Sequence, residues 1–209
     1  MSPTLARRIP AALLAISLVS AVSAANAETA PRDDLAAAAR AFEQAQAALL
    51  ANDPARAATL FELADHIKPS PEALRSAARA RMAAGQPAVA ATHAETMLWR
   101  YAGDAATRQL AARILGRTRR SLTRVTATCR ERCTVTVDGQ AIGTAEARQH
   151  VFYVTPGEHH YRARFASGAT VTESFQRWAG GWLAPYFHPS PEQPVRAPSR
   201  CTAYMEVLR

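Results

Sequence analysis

The sequence lacks the patterns that most often announce an activity. It has no G-x-S-x-G elbow, no H-E-x-x-H pair, no Walker loop and no dinucleotide glycine pattern, so motif reading assigns no catalytic residue, no cofactor and no metal ligand. The expected protein is therefore not an enzyme. No apolar run reaches the roughly 18 residues that a membrane-spanning helix requires. Lysine is nearly missing. Lys68 is the only one among 25 cations, the rest are Arg, and against 17 Asp and Glu the net charge is +8. Such a balance suits anionic partners in general. With 48% apolar and 20% charged residues, the chain nonetheless has the composition of a folded protein, since a disordered one is poorer in apolar side chains.

What is present begins with a leader. Arg7 and Arg8 precede a short apolar stretch, Ala11 to Val22, and Ala25-Asn26-Ala27 is a cleavage site of A-x-A type. Residues 1–27 are thus expected to be a signal peptide and the mature protein periplasmic or secreted, which sets nucleic acid aside as a partner. The alternative is a first buried helix of the mature fold. Pro10 stands where twin-Arg export prefers an apolar residue, leaving ordinary secretion as the favoured route, and no Cys adjoins the cleavage point to carry a lipid.

Three Cys remain: Cys129, Cys133 and Cys201. An oxidising compartment favours a disulfide between the first two. Both adjoin β-prone runs (125–128 and 134–137), and a three-residue hairpin loop, 130–132, would set them opposite one another and pin the register. The loop so closed is short, so its entropic stabilisation falls below the usual ~2–4 kcal/mol. A zinc site is the alternative, and it lacks the second pair of ligands. Cys201 is left free or intermolecular.

Residues 28–122 read as a helical module. Apolar residues recur at helical spacing, and Asp53-Pro54, Ser70-Pro71, Gln86-Pro87 and Gly103-Asp104 mark the joints of five helices, roughly 33–51, 54–68, 71–84, 87–101 and 104–122. Asp53-Pro54-Ala55-Arg56-Ala57-Ala58-Thr59 matches Gln86-Pro87-Ala88-Val89-Ala90-Ala91-Thr92 at an offset of 33, as do Glu62 and Glu95. This spacing resembles the tetratricopeptide repeat. Ala45 and Ala78, Asn52 and Gly85, and Ala57 and Ala90 take its small and turn positions, with Ala64 and Pro69 completing the first copy. The second copy departs at Met97 and Ala102, and the consensus aromatics are largely missing. The resemblance implies a concave surface for a protein partner. An Ala-rich bundle is the plainer alternative.

Residues 123–180 change texture. Alternating runs are separated by Asp138-Gly139, Pro156-Gly157 and Ser167-Gly168, which predicts a small antiparallel sandwich and an α+β protein overall. The stretches Val135-Thr136-Val137-Asp138-Gly139 through Gly143-Thr144, and Val154-Thr155-Pro156-Gly157-Glu158-His159, are similar to the PEGA domain, with Ala145 in place of a Pro. The resemblance implies an extracytoplasmic module that binds rather than catalyses. Residues 181–209 then form a Pro-rich tail, in which Cys201–Val207 alternates like a strand.

Candidate contacts are few. Arg148, Arg162 and Arg164 are placed on a wet sheet face, either merely solvated or facing peptidoglycan or another anionic envelope polymer. Trp178 and Trp182, with Tyr186 and Phe187, are expected to pack onto the sheet, with sugar stacking as the alternative. His159 and His160 point to opposite faces of a strand, and His150 is the one that could approach His160. The reading that follows is a non-enzymatic envelope scaffold. Its rivals are an accessory enzyme or chaperone-like factor with a site between the halves, and a carbohydrate-binding module.

Overall fold

The computed structural model describes residues 22–177 and 179–189, with side chains from residue 33 onward except that of Thr144. Five helices come first: α1 (Val22–Leu50), α2 (Pro54–Ile67), α3 (Pro71–Ala83), α4 (Pro87–Arg100) and α5 (Ala105–Thr118). Their starts follow from local chemistry. Pro opens α2, α3 and α4, where its missing N–H is unneeded, and the side chains of Asp53, Ser70 and Asp104 accept hydrogen bonds from the first free N–H groups of α2, α3 and α5. Asn52 and Gly85, 33 residues apart, both turn with positive φ, 58° and 69°. Ala45 and Ala78, Ala57 and Ala90, and Ala58 and Ala91 share the same offset, and all six are fully buried. Helices packed through Ala approach closely. α1 runs through the expected cleavage point, and cutting there would leave 28–50 of it; the rest of the expected leader lies outside the described residues.

Ion pairs tie these helices together. Glu62 on α2 accepts two hydrogen bonds from Arg81 on α3, at 2.7 and 2.5 Å, and one from His93 on α4, at 2.6 Å. Buried Asp65 accepts from the Ser70 N–H, from Arg100 and from the Tyr101 hydroxyl.

Six strands follow: β1 (Thr123–Val137), β2 (Gln140–Val154), β3 (Gly157–Phe165), β4 (Thr170–Arg177), β5 (Trp182–Leu183) and β6 (Tyr186–Phe187). They hydrogen-bond into one sheet of order β2-β1-β3-β4, antiparallel throughout, with β5 and β6 lying parallel along β1. The α+β class therefore holds, with a single sheet supplying the β half. Asp138 and Gly139 make the β1–β2 hairpin with positive φ at both positions. Val125, Val135 and Val137 of β1 gather with Phe152, Tyr161, Phe165, Leu183 and Phe187 in one core. Pro185 explains why the final segment is two short strands. Its carbonyl accepts from Thr128 at 2.9 Å, but it has no N–H to return to β1.

One expectation is corrected. Cys129 and Cys133 do form a disulfide, with Cα atoms 6.3 Å apart, but not across a hairpin. Both lie on β1. Thr128 pairs with Gln149 and Cys133 with Ala147, so residues 129–132 bulge out against a single residue of β2, and the disulfide clips the bulge. The chain reverses at Asp138-Gly139 instead, because that pair adopts the left-handed conformation a two-residue turn demands.

The halves join through α4 and β2. The Tyr153 N–H donates to Thr92 Oγ1 at 3.0 Å, its hydroxyl to Glu95 at 3.1 Å, and Arg124 donates to the same carboxylate at 2.7 Å. Ala91, Leu122 and Tyr153 form the apolar part of the seam. Burial, with the Glu95 charge beside it, pushes the Tyr153 hydroxyl up to about 12. Tyr153→Phe is expected to lower stability by about 1.5–3 kcal/mol, the worth of a hydrogen bond to a charged group, and urea titration reads it as a lower midpoint at unchanged slope.

Candidate functional site

The expected contact residues do not converge. Arg162 and Arg164, two apart on β3, are exposed on one face. Arg148 is exposed on β2, on the other side of β1. Among the described residues no carboxylate pairs with any of the three. Trp178 lies outside the described residues. The packing expectation is corrected for Trp182 and Tyr186, which are 63% and 51% exposed, while Leu183 and Phe187 are buried. A segment laid along β1 must alternate, so half of its large side chains face away from the core.

The histidines separate as well. His159 is buried, 2.6 Å from Asp138 and 2.8 Å from the Thr155 carbonyl, whereas His160 is exposed and 2.6 Å from Ser174 Oγ. His150 does not meet His160. Its Nε2 lies 2.9 Å from the Cys133 carbonyl and 3.7 Å from Cys133 Sγ, and the residue is 7% exposed. Burial lowers its pKa against opposing hydrogen bonds to the backbone of Cys133 and Ala147.

Sequence reading missed one feature of the helical half. A notch of about 140 Å³ lies between α3 and α5, lined by Arg79, Met82, Leu110, Arg113, Ile114 and Arg117. Leu110 and Ile114 form a buried apolar floor, and the three Arg are exposed around it. Among the described residues none of the three has a carboxylate partner. Arg75, one turn before Arg79, is by contrast neutralised by Glu72 and Asp104. The notch thus gathers three cations without carboxylate partners around one apolar floor. The spacing of Arg75, Arg79 and Met82, and of Leu110, Arg113, Ile114 and Arg117, places each set on one helical stripe, and that pattern was the available signal.

Two carboxylates of the helical half are committed elsewhere. Burial raises the Glu62 pKa, but hydrogen bonds from Arg81 and His93 outweigh this and hold it at about 2. At the seam between the halves, Glu95, Arg124 and Tyr153 satisfy one another. No protein-family model and no curated protein matches the chain.

Proposed function

We propose that this chain is a non-enzymatic scaffold of the cell envelope, exported past the inner membrane, with a repeat-like helical half that holds a protein partner. The PEGA-like half would contact envelope material through its outward face, where Arg162, Arg164, Trp182 and Tyr186 are exposed. The observation that carries the reading is the notch of three unpaired arginines around an apolar floor. At about 140 Å³ it is well below the ~300 Å³ at which small-molecule sites begin, so it suits one apolar side chain of a polypeptide. The guanidinium ring selects an acidic segment around that side chain.

A photo-cross-linking residue placed at Arg113 in intact cells is expected to capture one partner through an acidic segment. The same residue at Ala112, which points away from the notch, should capture none, and Arg79→Glu with Arg117→Glu should abolish the adduct. Equal adducts from both positions, or purified protein that cleaves peptidoglycan or peptides, would overturn the reading.

A further inference from the structure

Cys129 and Cys133 lie on β1 and His150 on β2, 17 residues beyond Cys133. Their two sulfurs and one ring nitrogen all lie within 4.8 Å of one another, and all three residues are buried. Three donors each about 2.3 Å from one ion are about 4 Å apart, a separation His150 Nε2 already has from Cys133 Sγ at 3.7 Å and the two sulfurs can reach once their bond is reduced. We propose that the Cys129–Cys133 pair, when reduced, joins His150 in a three-coordinate site for a soft monovalent cation, copper(I), and that the disulfide is the closed state of this site.

The donor set selects the ion. Two thiolates and an imidazole are soft ligands that suit copper(I), whereas zinc needs a fourth donor that the described residues do not add. The surroundings agree. Cys129 pairs with Phe187 and Cys133 with Phe165 across the sheet, and both aromatics are core residues, so the donors sit in a dry, apolar shell. Copper(I) with two thiolates carries one net negative charge. The bulge between the cysteines, Arg130-Glu131-Arg132, carries one net positive charge. In the disulfide form His150 Nε2 donates to the Cys133 carbonyl at 2.9 Å, so ligation through Nε2 requires that hydrogen bond to break and the ring proton to sit on Nδ1 instead; hydrogen bonding to the backbone of Ala147 also reaches the ring.

The chemistry balances. A dithiol reductant breaks the S–S bond with two electrons and becomes a cyclic disulfide, its two protons ending on the Cys129 and Cys133 sulfurs. Copper(I) then replaces both thiol protons, which leave to solvent, and accepts the His150 lone pair. No electron moves in that second step.

The test uses the full chain carrying Cys201→Ser, so that only two thiols remain. Reduced anaerobically and freed of reductant, it is titrated with copper(I) against a chromophoric chelator. One equivalent per chain is expected, with X-ray absorption showing two sulfur and one imidazole scatterer, and the disulfide form should take none. His150→Gln, which keeps a polar group in the buried position, is expected to weaken binding at least about tenfold, the equivalent of about 1.4 kcal/mol. Circular dichroism confirms that the variant is folded, and the absorption spectrum of the unsubstituted site reports imidazole ligation without relying on any variant at position 150. Equal affinity in the glutamine variant, absence of a nitrogen scatterer, uptake by the disulfide form, or preference for zinc in direct competition would each overturn the proposal.

Discussion

Phe61→Ala is expected to destabilise the protein by about 3–5 kcal/mol, the range for removing a fully buried aromatic ring. The helical core is built mostly from Ala45, Ala57, Ala58, Ala77 and their neighbours, which contribute little apolar area each. Phe61, 2% exposed and edge-on to Phe42 with ring centroids 4.9 Å apart, supplies most of the bulk where α1, α2 and α3 meet. Its loss leaves a cavity that Ala neighbours have no side chain to fill. A domain of this size is stable by only some 5–15 kcal/mol, so a fifth or more of the total is at stake. Urea titration followed by helical circular dichroism reads the change, and a loss below about 1 kcal/mol would show that α1 holds its place without this ring.

The second large effect is electrostatic and depends on pH. Glu62 has a folded pKa of about 2 against an ordinary value of 4.5. A carboxylate depressed in this way contributes stability that is fully present above its unfolded pKa and is lost as pH falls toward the folded value. The window therefore runs from about 4.5 down to about 2. After allowance for partial solvent screening the contribution is about 2 kcal/mol. Glu62→Gln should lose that amount at neutral pH and flatten the acid limb of the stability profile in the window. Parallel acid limbs in variant and parent, measured by urea midpoints at successive pH values, would show that the Arg81 and His93 hydrogen bonds do not hold the charge in solution.

Much of the architecture was legible in the sequence because punctuation residues mark its joints. Pro54, Pro71 and Pro87 begin helices, and Asp138-Gly139 makes the hairpin they were expected to make. The Cys129–Cys133 bond was legible from spacing and the expectation of export, but its setting was not. Alternating residues on either side of residues 129–133 fit two strands or one strand with a bulge equally well, and only the pairing with β2 distinguishes them. His150 beside the sulfurs was invisible for the same reason, since its place depends on register across 17 residues of chain. The arginine notch was hidden differently. With 24 Arg scattered through the sequence, Arg79, Arg113 and Arg117 stand out only once α3 and α5 bring them together around Leu110 and Ile114.

Helix α4 has both its sides occupied. Ala90, Ala94 and Met97 pack with Leu74, Leu110 and Ile114 behind the notch, while Ala91, Thr92 and Glu95 hold the sheet. With no loose linker between helices and sheet among the described residues, the two halves form a ruler: a ligand bound to the helices would sit at a set distance and angle from one bound to the strands.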